Sequence, residues 1–219
     1  MKGMVASTDL RGASSLVRPP QGPTKWTLRH LLMRILLLDN YDSFTWNLHH
    51  LLEPYAEVDV VRNDAIAVDE AARYHRIVLS PGPGLPNEAG IMMELLLKLM
   101  PTHPILGVCL GMQGIVEVCG GTLYNQTQVM HGVAVPCIPE EPRDDLFHDL
   151  PERFDVGLYH SWAADAGTLP AELRITARSG AGVIMAVRHA RYDVCGVQFH
   201  PESVLTPKGG SIIANWVGP

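Results

Sequence analysis

The stretch Pro104-Ile-Leu-Gly-Val-Cys109-Leu-Gly-Met-Gln-Gly114 combines an apolar run, a sharp turn holding one cysteine, and the start of a helix. The helix continues through Ile115, Val116 and Val118 and is stopped by Gly120-Gly121. Gly107-x-Cys109-x-Gly111 has the spacing of a nucleophile elbow with sulfur in place of the serine oxygen. A tight strand-to-helix turn brings backbone against backbone, so a Cβ at either flanking position would collide. A cysteine at that turn sits at a helix N-terminus, where unpaired N–H groups and the helix dipole favour a thiolate. Taken alone, the stretch fits a reactive cysteine and a buried structural one equally well.

The segments around the elbow define its setting. Arg34-Ile-Leu-Leu-Leu-Asp39 is a continuous apolar run of the kind found in central parallel strands buried on both faces. A helix capped by Asp42 or Ser43 follows, carrying Phe44, Leu48, Leu51 and Leu52, with Pro54 beyond its end. Next come a strand from Ala56 to Val61, a short helix from Val68 to Tyr74, a strand from Arg76 to Ser80, a helix from about Glu88 to Met100, and the elbow strand. Strand and helix in alternation predict an α/β protein with an open, mostly parallel sheet flanked by helices. Chemistry in such sheets gathers beyond the carboxyl ends of the strands. The turn Pro81-Gly-Pro-Gly-Leu-Pro86 leaves one strand and the Cys109 elbow the next, so right-handed crossover predicts that the two are neighbours. Gly82 and Gly84 leave room for a substrate to approach backbone N–H groups, and the prolines stiffen the loop. An ordinary Pro/Gly turn is the simpler reading of that loop by itself.

Beyond Gly121 the pattern changes to strands separated by turns, at Thr122–Pro139, Phe154–Ala163, Leu173–Ala177, Val183–Val187 and Val194–Phe199, which predicts additional antiparallel strands beside the parallel ones. Gly180-Ala-Gly182 is a hairpin loop, Pro139 to Pro151 a polar surface loop with a short turn at Asp145 to His148, and Ser211 to Val217 a closing helix. The last strand delivers Gly196-Val-Gln-Phe-His200-Pro-Glu202-Ser203. Pro201 biases His200 toward extended backbone, and residues two apart in an extended segment face one side, so His200 and Glu202 point together. Glu202 then orients the imidazole, and His200 exchanges a proton with a nearby thiol. His131, His160 and His189 have no carboxylate two residues away and are read as structural, while His49, His50 and His75 read as helix-face or loop residues. No metal-ligand spacing emerges among the histidines.

Composition narrows the classes. A chain of 219 residues, 47% hydrophobic, suffices for one domain with a substantial core. The four cysteines show neither a C-x-x-C pair nor a regular framework, which fits a reducing cytoplasm better than a disulfide scaffold. No apolar run reaches the roughly 18 to 20 residues that cross a bilayer. Residues 1–32 hold Lys2, Arg11, Arg18, Lys25 and Arg29 against Asp9. Of the 17 basic and 23 acidic residues in the chain, the body therefore keeps 12 and 22, a poor electrostatic surface for nucleic acid. Residues 1–32 are expected to be a disordered extension or an over-extended start ahead of Met33, with a transit peptide as the less favoured alternative, and 33–219 to be the single domain.

Five stretches in order carry a family resemblance: Leu38-Asp-Asn-Tyr-Asp-Ser-Phe-Thr45, Leu79-Ser-Pro-Gly-Pro-Gly84, Gly107-Val-Cys-Leu-Gly-Met-Gln113, Tyr159-His-Ser161 and Gly196-Val-Gln-Phe-His-Pro-Glu-Ser203. The chain resembles the class I (triad) glutamine amidotransferases, and within them is similar to the small subunits of anthranilate synthase and aminodeoxychorismate synthase. The resemblance implies a flavodoxin-like sheet and hydrolysis of glutamine to glutamate and ammonia. It implies Cys109 as nucleophile, His200 as base, Glu202 as its partner, and the N–H groups of Gly82 and Leu110 as oxyanion donors. It places glutamine against Gly82, Pro83, Gly84, Gln113, Ser161 and Trp162. It implies no metal or cofactor in this chain, magnesium being expected only in a partner synthase subunit that binds chorismate and receives the ammonia. Two segments depart from the family pattern: Val133-Ala-Val135 stands where Lys-Thr-Ser is common, and Leu158 where Arg is common. A related cysteine hydrolase of another amide and a non-catalytic module are the competing readings; Gln113, Ser161 and the Pro-Gly-Pro-Gly turn weigh against the first, the complete triad against the second.

Overall fold

The computed structural model describes residues 33–218; the expected N-terminal extension lies outside the described residues. Nine strands form one sheet: β1 (Arg34–Asp39), β2 (Glu57–Arg62), β3 (Arg76–Leu79), β4 (Ile105–Val108), β5 (Leu123–Pro139), β6 (Phe154–Ala164), β7 (Leu173–Ser179), β8 (Ile184–His189) and β9 (Val194–Val197). Their spatial order is β2-β1-β3-β4-β9-β8-β7-β5-β6. The first five run parallel, with β4 between β3 and β9, and the remaining pairings are antiparallel. The expected mixed α/β sheet and the β3–β4 adjacency are both present.

Helices α1 (Thr45–Leu52), α2 (Val68–Ala71), α3 (Met92–Leu99), α4 (Leu110–Val118) and α5 (Gly209–Val217) cover both faces of the parallel half. Alternation along β1 sorts the core: Ile35 and Leu37 pack with Leu48 and Leu52 of α1 and Ile212 and Ile213 of α5, whereas Leu36 and Leu38 pack with Val68, Leu95, Leu96 and Ile115 from α2, α3 and α4. No helix among the described residues is long and apolar enough to cross a membrane.

Three local expectations are corrected. The cap position of α1 is Phe44, without a side-chain cap bond; Asp42 instead accepts the Phe44 N–H at 2.8 Å, so its carboxylate closes the turn before the helix. The helix drawn from Glu88 to Met100 is broken into a 3₁₀ turn at Pro86–Glu88 and then α3, because Gly90 takes φ +52° against the Asn63 carbonyl. The helix drawn to Tyr74 ends at Ala71, a single turn.

Candidate active site

Cys109 follows the carboxyl end of β4, the strand that lies between β3 and β9. The elbow is built as its glycines require: a Cβ on Gly111 would meet Leu79 Cβ and its carbonyl oxygen at 2.7 Å each, and one on Gly107 would run into the Gly111 backbone. Helix α4 thus packs directly against the ends of β3 and β4. Cys109 occupies the cap position of α4 with φ 52° and ψ −99°, a conformation that costs a residue with a Cβ about 1–3 kcal/mol. It is held there by its N–H donating to Val197 O at 2.8 Å and its carbonyl accepting from Gln113 N at 3.0 Å. Burial pushes Cys137 and Cys195 up to about 12, and burial with the nearby Glu172 carboxylate pushes Cys119 up to about 11.

His200 and Glu202 are both buried, and His200 Nδ1 lies 2.6 Å from Glu202 Oε1. The pair forms as expected, by a different route. Strand β9 ends at Val197, and Ser203 N donates to His200 O at 3.2 Å, so a turn, not extended alternation, brings the carboxylate back to the ring. Thr206 Oγ1 donates to His200 O at 2.6 Å and accepts from Gly157 N at 2.9 Å, tying that turn to β6. Burial lowers the His200 pKa, but the Cys109 sulfur and the Glu202 carboxylate outweigh it and raise the pKa to about 10. Nε2 is buried with no aligned hydrogen-bond partner among the described residues. Cys109 therefore acts on the ring by proximity and charge, a looseness common to nucleophile–base pairs without substrate.

Gly82, Pro83, Gly84, Cys109, Gln113, Tyr159, His160, Ser161 and Trp162 line one cavity of about 170 Å³, the share of liquid of about six waters. It gathers every substrate-contact residue expected from the sequence. Leu110 stands behind that wall: a Cβ on Gly82 would meet Leu110 Cδ2 at 2.8 Å and Asn40 O at 2.6 Å, so only glycine lets the loop lie this close to the elbow. A buried amide and hydroxyl fix the loop from below. Asn40 N donates to Ser80 Oγ at 2.8 Å, Asn40 Nδ2 to Ser80 O at 2.9 Å, and Asn63 Nδ2 to Asn40 Oδ1 at 3.0 Å.

Several functional neighbours were not singled out from the sequence. Gln198, fully buried, directs Nε2 at Cys109 Sγ at 3.5 Å and accepts from Gln113 Nε2 at 3.3 Å. Gln113 Nε2 also donates to Trp162 O at 3.0 Å, so an amide chain connects the pocket wall to the sulfur. Phe44 and Tyr159 set their rings edge-on to His200, with centroids at 5.7 and 4.9 Å, and Tyr159 Oη meets Ser203 Oγ at 3.0 Å. The signal for Gln198 was a polar residue inside an apolar strand end, which has no reason to be buried unless it has partners. His160 Nδ1 lies 2.8 Å from Trp162 O, and burial lowers its pKa to about 4, keeping the ring neutral. The described residues hold one group with metal-ligand geometry, His49 and His50 of α1 and Glu53 just past its end, their ligand atoms within 4.8 Å of one another. Spacing of histidines alone did not reveal it, because the third member is a glutamate.

Fold and site together describe an α/β protein with a Cys/His/Glu constellation at the carboxyl edge of its sheet, an arrangement suited to acyl transfer through a thioester. The chain belongs to the class-I glutamine amidotransferase family, whose sequence model matches residues 36–218. It is 44% identical over 189 residues to a multifunctional tryptophan biosynthesis protein of Phycomyces blakesleeanus, covering 84% of this chain and 24% of that protein. Over 186 residues it is 42% identical to aminodeoxychorismate synthase component 2 of Escherichia coli, covering 84% of this chain and 98% of the relative. Over 190 residues it is 43% identical to the chloroplastic anthranilate synthase beta subunit 1 of Oryza sativa, covering 84% and 66%. The chain thus spans about a quarter of the first relative and nearly all of the second. A glutamine amidotransferase of known structure from Thermotoga maritima shares the fold with a TM-score of 0.63 at 20% identity, covering 78% of this chain and 76% of that one.

Proposed function

We propose that this chain is the glutamine-hydrolysing subunit of anthranilate synthase, supplying ammonia to a chorismate-binding partner subunit. The carrying observation is the Cys109 elbow beside the buried His200–Glu202 pair, opening into a pocket walled by Gly84, Gln113 and Ser161. In this reading the Cys109 sulfur attacks the side-chain amide carbon of glutamine, and the thiol proton resides on His200. The oxyanion is held by the N–H groups of Gly82 and Leu110, each such donor being worth about 3 kcal/mol of barrier. His200 then protonates the departing amine, ammonia leaves, and a γ-glutamyl thioester remains on Cys109. Water, losing a proton to His200, hydrolyses it to glutamate and restores the thiol. Glu202 keeps the imidazole in the tautomer that makes both transfers possible. No step uses a metal of this chain; magnesium belongs, in this reading, to the synthase subunit.

A second reading is the equivalent subunit of aminodeoxychorismate synthase, or service to both synthases. It is favoured by the relative from Escherichia coli, which the chain matches over nearly its whole length. The first reading is preferred on a resemblance alone: Tyr159-His-Ser-Trp162, Ile184-Met-Ala186 and Asn215-Trp216 look more like the anthranilate branch. Purification of the chain with its endogenous partner, followed by product identification from chorismate and glutamine, tests it: anthranilate supports the first reading, aminodeoxychorismate the second. In the same complex Cys109→Ala should abolish synthesis from glutamine and leave synthesis from added ammonia intact. Equal loss of both would refute the division of labour between the subunits.

A further inference from the structure

Helix α1 ends in three groups able to hold a metal ion. His49 and His50 occupy its last turn, and Glu53 is the residue that ends it. Glu53 keeps helical backbone, with φ −56° and ψ −27°, and its N–H donates to His49 O at 2.9 Å. Its carboxylate therefore stands four residues beyond one imidazole and three beyond the other, the two spacings at which helical side chains meet. Adjacent helix positions do not face each other, yet both rings reach this one side chain. His50 Nδ1 lies 3.3 Å from Glu53 Oε1, and His49 Nδ1 lies 3.5 Å from Oε2. None of the three residues lines the glutamine pocket.

The His49 contact is the informative one. Its Nδ1 is buried and has no aligned hydrogen-bond partner among the described residues, although a carboxylate oxygen is 3.5 Å away. That separation is too short for a bridging water, whose two partners stand about 4.5 Å apart when each is about 2.8 Å from the water oxygen. It is the separation of two ligands on one tetrahedral zinc, since bonds of about 2.0–2.1 Å span an edge of about 3.4 Å. An ion thus fits between nitrogen and oxygen where a water does not. The same edge recurs between His50 and Glu53, as a hydrogen bond that the ion would replace. With one ligand atom from each residue, all three lie within 4.8 Å of one another. His50 and Glu53 are exposed and can close that remaining gap by small side-chain rotations, while half-buried His49, its ring centroid 5.3 Å from that of Trp46, is the fixed member. The site also sits at the C-terminal, partly negative end of a helix, which favours a cation.

We propose that His49, His50 and Glu53 form a zinc site with three protein ligands and a fourth position left to water. Two imidazoles and one carboxylate suit zinc and its neighbours nickel and copper, whereas magnesium prefers an all-oxygen, octahedral shell. The site takes no part in the chemistry at Cys109.

Zinc chloride titrated calorimetrically into the full chain tests this, with Cys109→Ala as background so that the nucleophile does not compete for the ion. One equivalent of zinc should bind, and millimolar magnesium should not displace it. His50→Ala and Glu53→Gln lie at exposed positions where the fold does not depend on the side chain, and each should weaken zinc at least tenfold, as loss of a ligand requires. In ¹⁵N-resolved spectra zinc should shift the Nδ1 resonances of both His49 and His50. No zinc binding, a loss of less than tenfold in either variant, or a His49 Nδ1 resonance that zinc leaves in place would overturn the proposal. None of these readouts depends on glutamine turnover.

Discussion

Replacing Glu202 with glutamine changes one heavy atom and removes one charge from the buried end of the triad. The carboxylate side chain is inaccessible, with Oε1 2.6 Å from His200 Nδ1 and Oε2 buried without a partner among the described residues. If the amide oxygen kept its place against Nδ1, a charge-assisted hydrogen bond would become a neutral one. Those are worth about 1.5–3 and about 1 kcal/mol, so the protonated ring would lose about 0.5–2 kcal/mol, roughly 2- to 30-fold in rate. That orientation, however, puts the new NH₂ at the Oε2 position, where no acceptor waits. Turning the NH₂ toward His200 avoids this but makes Nδ1 the acceptor and moves the ring proton to Nε2, the atom that must receive the Cys109 proton. An acid-to-amide change that selects the wrong tautomer costs a serine protease about 10⁴-fold. We therefore expect kcat for glutamine hydrolysis to fall by about 100-fold or more and KM to stay within about threefold, because Gly84, Gln113 and Ser161 are untouched. Glutamate release by the chain with its synthase partner measures both. Stability gives an independent check. The raised His200 pKa contributes stability that is fully present below its unfolded value and lost as pH rises through about 10, so the melting-temperature gap between wild type and variant should be widest at neutral pH and below, and narrow in strong alkali. A kcat within threefold of wild type, with a normal melt, would refute the orienting role of Glu202.

Three further changes probe separate parts of the site and its support. Gln198→Met keeps the bulk and removes the N–H aimed at Cys109 Sγ; alkylation of Cys109 by iodoacetamide at pH 7 should slow about tenfold, as expected for loss of a hydrogen bond to a charged group, and an unchanged rate would remove Gln198 from the nucleophile's environment. Gly111→Ala places a Cβ 2.7 Å from Leu79; overpacking should cost about 1–3 kcal/mol by chemical denaturation and depress glutamine hydrolysis with it. Asp144, 2% exposed in its side chain, accepts from Arg188 Nε at 2.6 Å and Nη2 at 2.8 Å, Arg174 Nη2 at 2.8 Å and Leu146 N at 3.0 Å. Among the described residues, Asp144→Ala leaves Arg188 only Asp193 at 3.6 Å and Arg174 only the Pro142 carbonyl at 3.0 Å, and should cost about 3 kcal/mol, toward the low end for a buried pair because those contacts and the partial solvation of Arg174 remain, or about 6–12 °C in melting temperature. Desolvation raises the Asp144 pKa, but the Arg188 and Leu146 donors and Arg174 outweigh it and hold it below its ordinary value. The stabilisation is thus present above the unfolded carboxyl pKa and lost as pH falls through the lower folded one, so the gap between wild type and variant should close in acid.

What was legible in the sequence was what short-range sterics and period dictate. Gly107 and Gly111 announce an elbow because a Cβ at either has nowhere to go, and the four consecutive buried aliphatics of β1 announce a strand covered on both sides. Glu202 was placed on the correct partner by faulty geometry: the spacing of two was right, but the chain turns at His200 instead of extending, a choice made by Thr206 and Gly157 from outside the segment. Gln198 was invisible as a functional residue for a related reason. Its partners stand 89 residues away at Cys109 and 85 away at Gln113, and no local pattern encodes a bond across the sheet. The same reasoning bears on Gln113. Its place four residues after Cys109 puts it on the nucleophile's side of α4, which the sequence shows; its amide is aimed by Trp162 O and Gln198, which only the fold shows. The nucleophile is therefore specified locally, whereas the groups that orient it are supplied by β6 and the end of β9, and they can be found only after those strands are in register.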